Sequence, residues 1–368
     1  MAPVTTSLAE RLAARTLELV DIASQSRDEA RIAGHVLATL QSGGVLVRDA
    51  GDSCVLAGVT ERGERPLVLL AGHLDTVPAQ GNRPGLRDAG AVHGLGACDM
   101  KGALAVMIEL ALDRAARSGA DPAGPARDAG FVFFGREELP FTDSSLGPLL
   151  ERESALRGAD LALVMEPTAN VVQAGCLGNV NATWTFRGRS GHSARPWLAD
   201  NAIHRAACGI AELAAIESVD HEAGGLLYRE VVSVTQVAGG IARNVIPDVA
   251  SALVNYRYPP GMGEAAAEHR LHALCDPHGE LTIDAHAPSG AVASANAIAE
   301  DLRAIVGLPL EPKQAWTPVA EFALAGVDAL NFGPGDPAQA HTRSEHVAVD
   351  ALVRSYEVLA RLLDRDAR

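Results

Sequence analysis

His73 and Asp75, Asp99, the adjacent pair Glu137 and Glu138, Glu166 and His341 are residues of the kind that hold divalent cations, and most of them follow short apolar runs. Leu67 to Ala71 leads into Gly72-His73-Leu74-Asp75, Phe131 to Phe134 into Gly135-Arg136-Glu137-Glu138, and Leu161 to Met165 into Glu166-Pro167. Ala329 to Phe332 leads into Gly333-Pro334-Gly335-Asp336, shortly before His341. Runs this short and apolar read as buried strands of an α/β sheet, and in open α/β sheets ligands bind beyond the carboxyl ends of the strands. Taken singly, each residue has an ordinary reading: His73 as a satisfied loop histidine, Asp99 as the N-cap of a following helix, Glu137 and Glu138 as a solvated surface pair. Two acids at the end of a central strand are costly to bury without a cation, however. Consecutive strand side chains point opposite ways, so one of the pair can ligate metal while its neighbour faces a substrate. Asp75 is placed to accept the second ring N–H of His73 and fix its tautomer. Together His73, Asp99, Glu138, Glu166 and His341 form the nitrogen and oxygen donor set of a dinuclear zinc-type hydrolase. With Asp99 as a bridge, His73 and Glu166 complete one metal and Glu138 and His341 the other, leaving a shared water made nucleophilic by two cations.

Such a site needs a scaffold. Helix-like segments, Gly102 to Arg117 and Asp350 to Leu363, alternate with the apolar runs, and Leu104, Met107, Ile108 and Ala111 fall on one face of the first. Between about Gly178 and Ala287 the pattern changes. Strands are expected at 180–186, 231–237, 250–258 and 281–285, and helices at 201–216 and 264–274. That βαββαβ order is ferredoxin-like and reads as an inserted second domain, 178–287, within a catalytic domain built from 1–177 and 288–368. Closing the two flanks brings Glu166 and His341 near each other although they are 175 positions apart. Pro122 to Ala129 reads as a loop.

Composition bounds the function. The chain has 368 residues, 48% of them hydrophobic, enough for two cores, and 31 basic against 46 acidic residues give a net charge of −15. That balance argues against binding nucleic-acid backbones. Lys101 and Lys313 are the only lysines; neither precedes Ser or Thr as in a P-loop, and neither follows Ser at the S-x-x-K spacing. Cys54, Cys98, Cys176, Cys208 and Cys275 are odd in number, dispersed and without a C-x-x-C, which suits a reducing compartment. Glu10, Arg11 and Arg15 make the N-terminus an amphipathic helix and not a signal peptide, and no run approaches the roughly 18 to 20 apolar residues of a membrane span. The expectation is a cytoplasmic protein without nucleic-acid or membrane partners.

Gly72-His73-Leu74-Asp75-Thr76-Val77-Pro78, Asp99-Met100-Lys101-Gly102, Glu137-Glu138, Met165-Glu166-Pro167-Thr168 and the late His341 resemble the M20 family of dizinc aminoacylases and peptidases over nearly the whole chain. Gly191-His192-Ser193-Ala194-Arg195-Pro196-Trp197, Asp200-Asn201-Ala202-Ile203-His204, Asn244-Val245-Ile246-Pro247-Asp248, Asn255-Tyr256-Arg257 and Asn331-Phe332-Gly333-Pro334-Gly335-Asp336-Pro337 are similar to the actinobacterial succinyl-diaminopimelate desuccinylase branch in particular.

The resemblance implies a zinc-peptidase-like catalytic domain with a lid that is also the dimer interface. It implies hydrolysis of an N-acyl amino acid, N-succinyl-LL-2,6-diaminopimelate, in lysine and diaminopimelate biosynthesis. Two Zn2+ per subunit are implied, with Co2+ or Mn2+ as alternatives, and a cis peptide between Asp99 and Met100. Glu137 would be the general base, and His192, from the partner's lid, would stabilise the oxyanion. Arg257, Arg195, Asn244 and Thr317 would contact the substrate, the arginines by gripping a carboxylate.

There are departures from that branch. Gly175-Cys176-Leu177-Gly178-Asn179 stands where Gly-Arg-Arg-Gly-Ser is frequent, and Ala315-Trp316-Thr317-Pro318-Val319 where Gly-Gly-Thr-Ser-Asp is. Cys98 and Arg136 also replace the commoner residues. The alternatives are another M20 deacylase or carboxypeptidase, such as an N-acetylornithine deacetylase-like enzyme or a dipeptidase, and, in a different class, a metal-free scaffold or binding protein of the same fold. A lost ligand or base would mark the last, and none is lost.

Overall fold

The computed structural model describes residues 6–117, 125–293 and 295–364. The chain divides into two compact units, one made of 1–175, 291–311 and 317–368, the other of 176–290 and 312–316.

The first unit is built on an eight-stranded mixed sheet. Its centre is the strand Leu67–His73, every residue of which is buried. That strand pairs in parallel with Asp128–Phe134 on one side and Leu161–Val164 on the other, and Ala329–Asn331 continues the parallel set beyond Leu161–Val164. The apolar runs form these four strands because, flanked on both sides, they must be apolar on both faces. Leu67, Val68, Leu69 and Leu70 are wholly buried, each stabilising the fold by about 1.5 to 3 kcal/mol relative to exposure. The first strand runs two residues further than its apolar stretch because Gly72 and His73 keep the ladder with Phe133 and Phe134. Antiparallel strands Val47–Gly51 and Cys54–Gly58 extend one edge.

Helix Leu8–Asp21 is capped by Ser7, whose Oγ accepts from the Glu10 amide at 3.2 Å. It packs with Gly102–Arg117 and Val349–Asp364. The Gly102–Arg117 helix departs from the one-faced burial expected of it: Gly102 to Ala111 are buried all round. Glu109 within that stretch is satisfied by Arg11 Nη1 at 2.8 Å and Arg15 Nε at 3.1 Å. Of the expected loop 122–129, residues 122–124 lie outside the described residues, and the Asp128–Phe134 strand already claims its last two.

The second unit carries a five-stranded antiparallel sheet in the spatial order 219–223, 226–239, 249–258, 178–187, 280–287. Helices Ala202–Ala214 and Glu264–Cys275 cover one face over a core that includes Trp184, Phe186, Tyr256 and Tyr258. The expected βαββαβ elements are present, with one strand more. Val219–Ala223 forms a hairpin with the start of Leu226–Gly239; its residues are exposed or half-buried, so it carries no apolar alternation to reveal it. The segment 312–316 belongs to this unit although it comes late in the sequence. Gln314 accepts from the Arg229 amide at 3.2 Å and donates to the Leu227 carbonyl at 3.2 Å, and the Trp316 indole donates to the Pro288 carbonyl at 3.0 Å.

Candidate active site

The carboxyl ends of the four parallel strands deliver His73, the Glu137-Glu138 pair, Glu166 and the 333–336 loop to one end of the sheet. Asp99 comes from the turn Ala97–Lys101 at the head of the Gly102–Arg117 helix, where the Asp99–Met100 peptide is cis. Its carboxylate lies between two imidazoles, with Oδ1 at 3.1 Å from His73 Nε2 and Oδ2 at 3.6 Å from His341 Nε2. Glu138 Oε1 is 3.0 Å from His341 Nε2, and Glu166 Oε1 is 3.9 Å from His73 Nε2. Donor atoms of His73, Asp99 and Glu138 fall within 4.8 Å of one another, as do those of His73, Glu137 and Glu166. One oxygen of Asp99 per histidine, with a further carboxylate beside each histidine, is a donor chemistry that fits two divalent cations. Glu137 is drawn into the same cluster, its carboxyl pushed well above the usual range by burial and then by the charge of Glu166.

Asp75 departs from the role its spacing suggested. His73 Nδ1 is 3.0 Å from the backbone carbonyl of Asp75 and 3.6 Å from its carboxylate, so the carbonyl sets the tautomer. The carboxylate instead accepts from the backbone N–H groups of both acids, Glu137 at 3.0 Å and Glu138 at 3.1 Å, and from Ser26 Oγ at 2.8 Å. Burial works against its charge, but His73, Ser26 and these donors outweigh it and hold Asp75 below the ordinary carboxylate range. Arg136 and Cys98, for which the sequence offered no role, are accounted for. Arg136 has φ 61° just before Glu137 and sends its guanidinium away from the cluster, donating to Asp52 and, at 2.7 Å, to the Asp143 carbonyl. The Cys98 thiol donates to the Asp336 carbonyl at 3.2 Å beside Gly335, where φ is 92° and a Cβ would stand 2.6 Å from the sulfur. Thr317 is buried ahead of helix Val319–Leu324, in the same unit.

The remaining predicted residues belong to the second unit. His192 pairs with Val245, and the Ser193 amide donates to the Asn244 carbonyl at 3.0 Å, so His192 and Asn244 are neighbours, exposed as Arg195 is. Arg257 lies at the other end of the Val249–Tyr258 strand, on the sheet face opposite the helices. Eight residue steps at about 3.3 Å each separate Val249 from Arg257, roughly 26 Å, and Asn244 lies beyond Val249. Arg257 Nε donates to Asn255 Oδ1 at 3.0 Å, and Asn255 Nδ2 donates to Asn179 and Asn181, each at 2.7 Å. Asn181 went unnoticed in the sequence, as did Ser26 and Glu345 in the first unit, and Asn179 stood out there only as part of a segment that departs from the branch. Only strand register, which sets Asn181 opposite Asn255 and Asn179 opposite Arg257, makes the asparagines visible as a group.

The chain is similar to known proteins over nearly its whole length. The model of peptidase family M20/M25/M40 matches residues 69–365. A Mycobacterium tuberculosis protein provisionally named succinyl-diaminopimelate desuccinylase DapE is 39% identical over 95% of this chain and 96% of its own. The succinyl-diaminopimelate desuccinylase of Corynebacterium glutamicum is 34% identical over 95% of each chain. Among solved structures, aminopeptidase PepT from Bacillus cereus superposes with a TM-score of 0.78 at 18% identity, covering 98% of this chain and 99% of that one. YXEP of Bacillus subtilis, described as a dinuclear metal-binding peptidase of the M20 family, does so with a TM-score of 0.68 at 18% identity over 96% and 97%.

Proposed function

The chain belongs to peptidase family M20/M25/M40, and from that premise we propose that it is a metal-dependent amide hydrolase that removes succinate from N-succinyl-LL-2,6-diaminopimelate. The observation that carries the hydrolase reading is Asp99 set between His73 and His341 with one oxygen toward each. The substrate reading is supported by the desuccinylase names of relatives 39% and 34% identical over nearly the full length.

His73, Asp99 and Glu166 would hold one metal and Asp99, Glu138 and His341 the other, with zinc proposed and cobalt or manganese compatible with the same donors. When bound, the pair supplies positive charge for a developing oxyanion and a more acidic water. Glu137, held at the cluster by the grip of Asp75 on its amide, takes the proton of the attacking water on a carboxylate oxygen. It then passes that proton to the amide nitrogen, so that succinate and a free amine leave. Arg257, for which no carboxylate ion pair occurs among the described residues, grips a substrate carboxylate, its guanidinium oriented by Asn255. Asn244, Arg195 and Thr317 would complete the substrate contacts.

His192 would stabilise the oxyanion from the partner subunit. Three observations favour a homodimer through the second unit. His192 and Arg257 of one chain stand too far apart along the ladder to grip one small substrate. From Val231 on, the Leu226–Gly239 strand is paired on one edge only among the described residues. Trp197, Val237 and Ile241 are exposed, Ile241 at 89%. No described helix is long and apolar enough to cross a membrane, and five free thiols suit the reducing cytoplasm we propose for it. The test is a panel of N-succinyl and N-acetyl amino acids and dipeptides offered to zinc-loaded protein. Preference for succinyl-diaminopimelate is expected; preference for N-acetylornithine or a dipeptide would reject the substrate while keeping the hydrolase.

A further inference from the structure

The turn that carries Asp99 is held by an acid that neither spacing nor resemblance singled out. Glu345 is only 2% exposed. Its Oε1 accepts from the backbone N–H groups of Cys98 at 3.1 Å and Asp99 at 3.0 Å, and its Oε2 from that of Gly96 at 3.0 Å. Hydrogen bonds to an ionised acceptor are about twice as strong as neutral ones, and deleting this acceptor would leave backbone donors without it in a buried place. Gly96 is left-handed with φ 78°, and Asp99 and Met100 lie outside helical geometry. Within the turn the Lys101 amide donates to the Gly96 carbonyl at 2.7 Å, whereas the amides of Gly96, Cys98 and Asp99 are held from outside, by Glu345.

Glu345 stands four residues after His341, in a stretch closed by the Glu345 amide donating to the Thr342 carbonyl at 3.4 Å. The Gly94 amide donates to the Glu345 carbonyl at 2.9 Å, tying the same residue to the chain just before the Asp99 turn. One short segment thus supplies an imidazole that faces Asp99 and the carboxylate that fixes Asp99's backbone. We propose that Glu345 is a positioning residue that locks the Asp99 turn to the His341 loop and thereby sets the spacing of the two cation sites, touching neither metal nor substrate itself. The inference rests on the two-metal reading above. Because Asp99 faces both histidines, loosening its turn weakens both sites together, whereas losing His341 or Glu166 would weaken chiefly one.

The experiment loads the full-length protein with zinc and challenges it with increasing chelator, reading bound zinc by metal analysis and folding by circular dichroism of the metal-free protein. Glu345→Gln keeps size but turns an N–H toward at least one of the three backbone donors, while Glu345→Asp keeps the charge one methylene short. Glu345→Gln is expected to fold without metal and to bind both zinc ions about 10- to 100-fold more weakly than wild type, with Glu345→Asp between the two. Wild type and Glu345→Gln holding two zinc ions equally tightly would overturn the proposal. So would failure of both variants to fold without metal, since the residue would then serve the fold and not the ligand. A wild-type protein that takes up no zinc fails earlier, at the two-metal reading, and is told apart by that.

Discussion

Asp75 holds two of the four acids of the cluster without standing among its donors. Its two oxygens accept from the amides of Glu137 and Glu138, so two neighbouring acids are aligned by one buried carboxylate. Glu137 is thereby held beside Glu166 and His73, where the proposed proton transfer needs it. Glu137→Gln is expected to keep both metals and to lose about 10²- to 10⁴-fold in kcat, checked by metal analysis alongside steady-state rates. Substantial residual turnover would remove Glu137 from the proton transfer. At this scale the sequence exposes what sits at strand ends, since His73, Glu137, Glu138 and Glu166 each follow an apolar run. It hides the residues that support the donors from other parts of the chain. Ser26 and Glu345 are ordinary polar residues in their own neighbourhoods, and the contact of His73 with the Asp75 carbonyl instead of its carboxylate is a matter of loop geometry that spacing does not carry.

Four parallel strands were readable because burial on both faces keeps their interiors apolar, and their carboxyl ends place His73, Glu137, Glu138 and Glu166, while Asp99 and His341 come from a turn and a loop. Exposed elements were not readable: the Val219–Ala223 strand has no apolar face, and the strand expected at 231–237 begins earlier, at Leu226, where Arg229 and Glu230 interrupt the apolar pattern. Gln314 and Trp316 join the second unit through long-range hydrogen bonds with no local signal. Glu321 is buried in helix Val319–Leu324, with Oε1 accepting from the Gly147 amide at 2.8 Å in the first turn of helix Leu146–Arg152. Burial pushes its carboxyl up to about 7 from an ordinary 4.5. The folded state then keeps a proton that the unfolded chain releases between those values. Stability from this group is full below pH 4.5 and is lost as pH rises through 7, by on the order of 3 kcal/mol. Glu321→Gln, which has the shape of the protonated acid and donates from the same place, is expected to flatten that decline. Denaturant unfolding at pH 5.5 and pH 8 checks it, and equal declines in wild type and variant would contradict it.

At the scale of the whole molecule the first unit holds the donor cluster, and the second carries Arg257 near one end of a long antiparallel ladder and His192 near the other. If sites are shared across a dimer, mixing Glu137→Gln and His192→Ala subunits restores one good site in each heterodimer, giving about a quarter of wild-type activity after random exchange. No restoration would mean that each chain completes its own site. The inserted unit was legible from its change of pattern, because its alternating strands differ from the continuously apolar ones around it. Succinate release from N-succinyl-LL-2,6-diaminopimelate before chelation, after it, and after zinc is restored tests most directly whether this chain cleaves an N-succinyl amide with bound divalent metal. Release that stops with metal removal and returns with zinc is the predicted result; no release from protein holding two zinc ions, or release indifferent to chelation, would contradict it.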